Sequence, residues 1–242
     1  MNGYWNVVCD IDSANGLRRR APHPESKARR PEPMTPTAHN DTRGDAPIVK
    51  SVQIGRTAPL GPQAVPSGFV KRPVSGTVDV ARTGILGDEQ ADLRVHGGPE
   101  KAVYGYAASR YDAWRTDFPQ HTVLLVPGGF GENLTIAGCD ETTVCLNDIV
   151  LIGTCLLQVS QPRQPCFKFA LRYADAGMPQ AMVRNGYCGW YYRVLETGRL
   201  AAGDAVSLEE RPHPLWSIDR VNRQIVQRRG TPEDKSEFAA IT

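Results

Sequence analysis

From Ile48 to Leu208 the chain is cut into short apolar runs by glycine, proline and aspartate, and this punctuation constrains the fold more than any other feature. The runs predict strands at Ile48–Ile54, Gly76–Val80, Thr122–Val126, Asp148–Ile152, Leu156–Ser160 and Asp204–Leu208. Asn147-Asp148 and Gly203-Asp204 each precede apolar residues and read as turns feeding strands. Two helices interrupt the pattern. One covers Ala107–Asp117, with Tyr111 and Trp114 on one face. A shorter one covers Pro179–Arg184 and stops at Asn185-Gly186. Many short strands with irregular connections predict a mainly β chain, folded as a barrel or a strongly bent sheet with a few short helices.

The two ends differ from this middle. Residues 1–46 carry arginine and proline runs (Leu17 to Pro24, Lys27 to Pro33) with few apolar residues between them, too little to offset the entropy of ordering. They read as a disordered or non-native extension, with translation expected to begin at Met34. A twin-arginine export signal would need an apolar stretch after the arginines, and none follows. At the other end, Ile218, Val221, Ile225 and Val226 recur at helical spacing behind Ser217 as an N-cap. Thr231-Pro232-Glu233-Asp234 supplies a second cap, a proline at the first helical position and acids in the first turn. Pro212 and Pro214 mark the joint. The expected organisation is an extension over 1–46, a β domain over 47–211 and a partial helical domain over 212–242.

With 242 residues and a net charge of +2, the chain has room for a sizeable core and no bulk electrostatic case for nucleic acid or membrane surfaces. No apolar stretch approaches the length of a bilayer span. Six cysteines without a signal peptide or a Cys-x-x-Cys pair read as reduced thiols in a cytoplasmic protein. Cys9, Cys139, Cys145, Cys155 and Cys188 read as structural or incidental.

Cys166 is different. In Val159-Ser160-Gln161-Pro162-Arg163-Gln164-Pro165-Cys166-Phe167-Lys168, two prolines push Gln161 and Gln164 toward extended backbone, which argues against a helix through the run. Arg163 and Lys168 would lower the thiol pKa if their side chains turn toward it. A buried core cysteine is the competing reading, and the residues alone leave the two balanced. Two glycine-rich corners add to the thiol. In Gly87 to Lys101, Arg94, His96 and Lys101 surround Gly97-Gly98, which suits an anion cradle or a tight turn with solvated charges. In Pro127 to Thr135, three glycines lead to Asn133, whose amide can both donate and accept, or which forms an Asx-type turn.

Together, His96-Gly97-Gly98-Pro99-Glu100-Lys101-Ala102, Phe130-Gly131-Glu132-Asn133-Leu134 and Ser160 to Lys168 resemble the MOSC domain family, in its YiiM-like branch. Gly87 to Asp92 and Gly189-Trp190-Tyr191 extend the resemblance over roughly residues 48–210. Trp216–Arg229 resembles the start of the small three-helix domain that follows the barrel in that branch, and here the chain stops before a third helix. The resemblance implies a MOSC-type β-barrel that binds the molybdenum cofactor, a phosphorylated pterin dithiolene (molybdopterin), with Cys166 as the protein ligand to molybdenum. It implies reductive detoxification of N-hydroxylated compounds such as 6-hydroxylaminopurine-type base analogues. The residue chemistry is compatible. A soft thiolate suits molybdenum, and Arg94, His96, Lys101, Asn133, Arg163 and Lys168 could hold the phosphate and the polar pterin. Ser160 and Gln161 fall where a strand end would meet the pterin edge. N–O cleavage consumes protons, which His96 or a nearby acid would supply. With no flavin, haem or iron–sulfur signature, electrons would come from a separate reductase partner, and a homodimer is allowed.

Three rival readings remain. A MOSC domain can serve cofactor sulfuration, with Cys166 carrying sulfur. Cys166, His96 and Asn133 could form a metal-free hydrolase set. Arg220, Arg223, Arg228 and Arg229 could line a nucleic-acid face, against which the small whole-chain charge argues.

Overall fold

A computed structural model describes residues 46–93 and 96–241. The expectations for the N-terminal extension, Met34, Cys9 and Arg94 lie outside the described residues.

The chain opens with β1 (Ile48–Ile54), followed by the hairpin β2 (Ala58–Leu60) and β3 (Val65–Ser67) and the short β4 (Arg72–Pro73), β5 (Val78–Ala81) and β6 (Gly84–Ile85). After a 3₁₀ turn at Pro99–Lys101 come β7 (Val103–Ala107), α1 (Arg110–Asp117), a second 3₁₀ turn at Pro119–His121 and β8 (Leu134–Ala137). The remainder is β9 (Ile149–Ile152), β10 (Cys155–Pro162), α2 (Phe167–Tyr173), α3 (Gly177–Asn185), β11 (Trp190–Glu196), β12 (Gly198–Leu200) and β13 (Val206–Glu210). The tail holds α4 (Ile218–Arg220), which runs into a π-helical stretch at Val221–Val226, and α5 (Pro232–Ile241).

Eight strands form one sheet in the order β13-β9-β10-β11-β7-β8-β1-β4, and β12-β5-β6 form a second. All pairs in the large sheet are antiparallel except β7 with β8, which α1 connects as a crossover. The sheet bends far enough for β1 to meet the chain just before β13. Val49 N–H donates to Asp204 O at 2.9 Å, Val206 N–H donates to Pro47 O at 2.8 Å, and Ile48 bridges Ala205. That contact is a single bridge and not a ladder, so the strands make a strongly bent mixed sheet rather than a continuous closed barrel.

The expected strand Ile48–Ile54 is present with the same ends, Asp148–Ile152, Leu156–Ser160 and Asp204–Leu208 are present with shifted ends, and Gly76–Val80 overlaps β5. Thr122–Val126 is not a strand. Its amides bond locally, Leu124 and Leu125 N–H to His121 O at 2.8 and 3.1 Å, and the Leu125 carbonyl accepts Arg115 Nη2 at 2.6 Å. Leu125 is buried while Val123 is 87% exposed, so the apolar pair anchors a turn with one side chain only. The first helix starts at Arg110, because Ala107 ends β7, and Tyr111 and Trp114 are both buried as expected. α3 stops at Gly186, whose φ of +76° is the left-handed stop foreseen from Asn185-Gly186.

The sheet packs against α1 and α2 through an aromatic core. Tyr106 and Phe130 stack at 4.4 Å, and Trp114, Tyr111 and Phe169 surround Phe130. Full burial of such side chains contributes roughly 1.5–3 kcal/mol each. The tail adds a smaller cluster of Leu146, Trp216 and Val221, with Ile225, Phe238 and Ile241 against it. Both foreseen caps form, Ser217 Oγ accepting from Arg220 N–H at 3.2 Å and Thr231 Oγ1 from Asp234 N–H at 3.2 Å.

Candidate functional site

The glycine-rich corner at Pro127–Asn133 is built around Glu132. This fully buried carboxylate accepts from Gly128 N–H at 2.7 Å, Phe130 N–H at 3.1 Å and Thr135 Oγ1 at 2.9 Å, and it contacts the Tyr111 hydroxyl. Burial pushes its carboxyl above the usual range, opposed by these hydrogen bonds. Asn133, one residue on, points toward the other corner. Its amide donates to Gln53 O at 3.2 Å and Asp88 Oδ2 at 2.9 Å and accepts from Tyr104 N–H at 3.1 Å. Asp88 also accepts from Gly55 N–H at 2.8 Å and pairs with Lys71. The Lys71 and Asp88 side chains are 6% and 2% exposed, and burial depresses the Lys71 pKa against the pull of Asp88. Asn133 and Asp88 therefore tie the two corners together.

Between the corners lies an open cleft of about 670 Å³, its mouth included. The third motif closes it. β10 carries the chain to Pro162, Arg163 to Pro165 run without regular structure, and Cys166 caps α2 in extended backbone at φ −116°, ψ 169°. The expectation of a non-helical run holds through Pro165 and fails at Phe167 and Lys168, which open α2. A proline restrains itself and the residue before it, and Phe167 lies beyond that reach.

Cys166 is a free, partly buried thiol lining the cleft. Burial pushes its pKa up, but a hydrogen bond with His96, the Arg163 guanidinium and the Lys168 backbone amide outweigh it and bring the thiol down to about 7. Lys168 thus acts on the sulfur through its N–H. The residue is 8% exposed and lines the cleft with no carboxylate partner among the described residues. Arg163 is 4% exposed and likewise has no carboxylate. Its guanidinium carbon lies 5.2 Å from the Phe169 ring centroid and 5.7 Å from those of Phe69 and Tyr104, and Nη1 approaches Met182 Sδ at 2.9 Å.

Six of the sequence-selected residues converge on the cleft: His96, Lys101, Asn133, Arg163, Cys166 and Lys168. Ser160 and Gln161 do not line it. Ser160 Oγ donates to Glu100 O at 2.6 Å, and Gln161 pairs with Tyr191 in the β10–β11 ladder. Lys71, Phe69, Tyr104 and Tyr191 line the cleft without having been singled out for it. Tyr191 belonged to the Gly189-Trp190-Tyr191 motif, whereas nothing in Val70-Lys71-Arg72 marks a buried cation. Among the described residues no three His, Cys, Asp or Glu side chains gather as a metal site. The Cys–His–Asn set has its first two members in contact, but the Asn133 amide is committed elsewhere. Arg220 and Arg223 are committed too, to Asp234 and Glu237 and to Asp219 respectively, which weakens the nucleic-acid face. No helix among the described residues is long and apolar enough to cross a membrane.

Comparison with known proteins agrees with these motifs. The family model for the MOSC domain matches residues 92–207. A protein from Gibberella moniliformis named "Reductase" is 41% identical over 162 residues, 66% of this chain, and that match spans only 29% of its own length. Protein YiiM of Escherichia coli is 38% identical over 166 residues, covering 69% of this chain and 70% of YiiM. The crystal structure of YiiM from Geobacillus stearothermophilus superposes with a TM-score of 0.67 at 30% identity, covering 80% of this chain and 90% of that one. With the thiol motif, both glycine corners and the bent sheet all in place, the chain belongs to the MOSC domain family, in its YiiM-like branch.

Proposed function

We propose that this protein is a molybdenum cofactor-dependent reductase of N-hydroxylated compounds, 6-hydroxylaminopurine-type base analogues among them, with Cys166 as the protein ligand to the metal. The observation that carries the reading is the pair of buried cations, Arg163 and Lys168, without carboxylate partners among the described residues, flanking a thiol whose pKa is brought down to about 7. Buried cations are costly unless an anion joins them, and a phosphorylated pterin dithiolene brings one. The single thiolate suits a metal that arrives with its other ligands. Family membership and the name of the Gibberella relative support a reductase.

When bound, the cofactor supplies the two-electron couple for cleaving an N–O bond. This chain's residues do the rest. Arg163, Lys168, His96 and Lys101 bind and orient anionic groups in the cleft. Tyr104, Tyr191 and Phe130 exclude water around Cys166. The reaction takes two protons and two electrons and releases water and the reduced nitrogen. His96 would hold one of those protons at its ring nitrogen and deliver it to the departing hydroxyl. The electrons come from a separate reductase.

The test is elemental analysis with pterin fluorescence on protein expressed with a competent cofactor pathway, comparing wild type with Cys166→Ala. Near-stoichiometric molybdenum, lost in the variant, is expected. Well-folded wild type with neither molybdenum nor pterin would refute the reading, and a persulfide on Cys166 without N-reduction would replace it with sulfur transfer.

A further inference from the structure

The C-terminal segment after β13 packs its own small cluster around Trp216, yet its polar side chains reach back toward the thiol motif. Asn222, in the π-helical stretch, is 3% exposed, and its Oδ1 accepts from Gln164 Nε2 at 3.3 Å. Gln164 lies between Arg163 and Pro165 and lines the cleft beside Cys166. A second route runs through α3. The last carbonyls of a helix have no partner within it. Here Gln227 Nε2 donates to Val183 O at 2.7 Å and Arg223 Nη2 donates to Asn185 O at 3.4 Å. Arg223 also places a cation at the negative end of α3. Met182, on the same last turn, takes the Arg163 contact at 2.9 Å. The tail therefore touches the Arg163–Cys166 turn once directly and once through α3.

Besides the tail, that turn is restrained by Arg163 N–H, which donates to Gly189 O at 3.3 Å, and by the Arg163 side chain, which hydrogen-bonds Tyr191. Arg163 to Pro165 belong to no strand or helix, and the Arg163 guanidinium has aromatic rings and a thioether around it, with no carboxylate partner among the described residues. The tail, by contrast, is firmly attached to the sheet domain. Leu146 N–H donates to Trp216 O at 2.8 Å, Ile218 N–H donates to Val144 O at 2.8 Å, and Asp219 N–H donates to Glu141 O at 2.7 Å. Ile218 itself is fully buried in the main core. An anchored element with a part-buried polar contact to an irregular turn, and further contacts through α3, is what holding a ligand side chain in one geometry requires.

We propose that the C-terminal helical segment is the back support of the thiol site, and that Asn222 is a positioning residue acting on Cys166 through Gln164. Residues 212–241 would then be part of the site. The inference deepens the functional reading above and rests on it for the role of Cys166, but its test needs no cofactor.

Hydrogen–deuterium exchange on the full chain without cofactor compares wild type with Asn222→Leu and, separately, Gln227→Leu. Either variant is expected to raise amide exchange in the Arg163–Phe169 peptide about three- to tenfold, with β10 and β11 protection and the melting temperature held. Combining Asn222→Leu with Gln164→Leu should add nothing further at that peptide, because both remove one contact. Molybdenum retained per chain after dialysis, measured on loaded protein, should fall in the same variants. Faster exchange confined to residues 218–241 in both single variants, with Arg163–Phe169 unchanged, would overturn the proposal by showing that the tail contacts are structural only. Absence of molybdenum from wild type would overturn the cofactor reading and leave the exchange result standing.

Discussion

Removing Asp88 should destabilise the protein severely, and removing Lys71 with it should restore most of the loss. The pair lines the cleft with side chains 6% and 2% exposed, and Asp88 also accepts from Gly55 N–H and from the Asn133 amide. Asp88→Ala leaves a buried ammonium without its partner, a change that costs about 3–5 kcal/mol. Two further donors lose their acceptor at about 1 kcal/mol each, although Asn133 keeps its bond to Gln53 O. The expected loss is therefore about 5 kcal/mol, a large part of the total for a domain of this kind. Lys71→Met with Asp88→Leu fills the same space without charge and should come within about 2 kcal/mol of wild type.

The pH dependence supplies an independent check. Burial already holds the Lys71 pKa below its ordinary value, with Asp88 opposing that shift. Without Asp88 it falls further. The folded state then binds fewer protons than the unfolded chain, so stability rises with pH between the depressed folded value and the unfolded value of about 10.4. Urea unfolding of wild type, Asp88→Ala and the double variant at pH 7 and at about pH 9.5 reads both effects, and the Asp88→Ala deficit should shrink at the higher pH. An Asp88→Ala protein within about 1 kcal/mol of wild type, or a double variant no more stable than Asp88→Ala, would refute the reasoning.

Cys166 should be alkylated with a pH midpoint near its value of about 7, followed peptide by peptide by mass spectrometry, while Cys139 and Cys155, pushed up to about 12 and about 11, stay unreactive at neutral pH. Arg163→Met should move the Cys166 midpoint to about 8 and slow alkylation at pH 7 about fivefold, and an unchanged midpoint would exclude the guanidinium as a cause. Gly189→Ala should cost about 2–4 kcal/mol in thermal unfolding, because φ there is +65° and an added Cβ would lie 2.3 Å from the Gly105 carbonyl oxygen. A melting temperature within a couple of degrees of wild type would contradict the close β7–β11 approach.

Much of this was legible in the chain. The punctuated apolar runs set the short strands, the left-handed stop at Gly186 and the caps at Ser217 and Thr231 are local chemistry, and the three motifs carried the family resemblance, which implied one shared site. The central strands β7, β8 and β11 were not legible. β7 is buried on both faces and interrupted by Gly105, so it shows no alternation, and only its neighbours Trp190 and Tyr192 give that glycine a reason. Thr122–Val126 had strand-like residues, but it pairs with no strand and its amides bond within their own turn.

What the sequence by itself determined is the inventory: a mainly β chain, a thiol framed by prolines, cations at fixed spacing from it, and two corners with backbone free to turn tightly. These depend on propensities and φ restrictions that act within a few residues. Tertiary structure alone decided which groups are paired. Lys71 finds Asp88 and is neutralised, Asn133 is spent on joining the corners, Ser160 turns away to Glu100, and Arg163 and Lys168 are buried beside Cys166 with no acid partner among the described residues. Pairing and burial depend on residues far apart in the chain and close in space; burial pushes the Cys166 thiol up, and it is the hydrogen bond with His96, the Arg163 guanidinium and the Lys168 amide that bring it down to about 7.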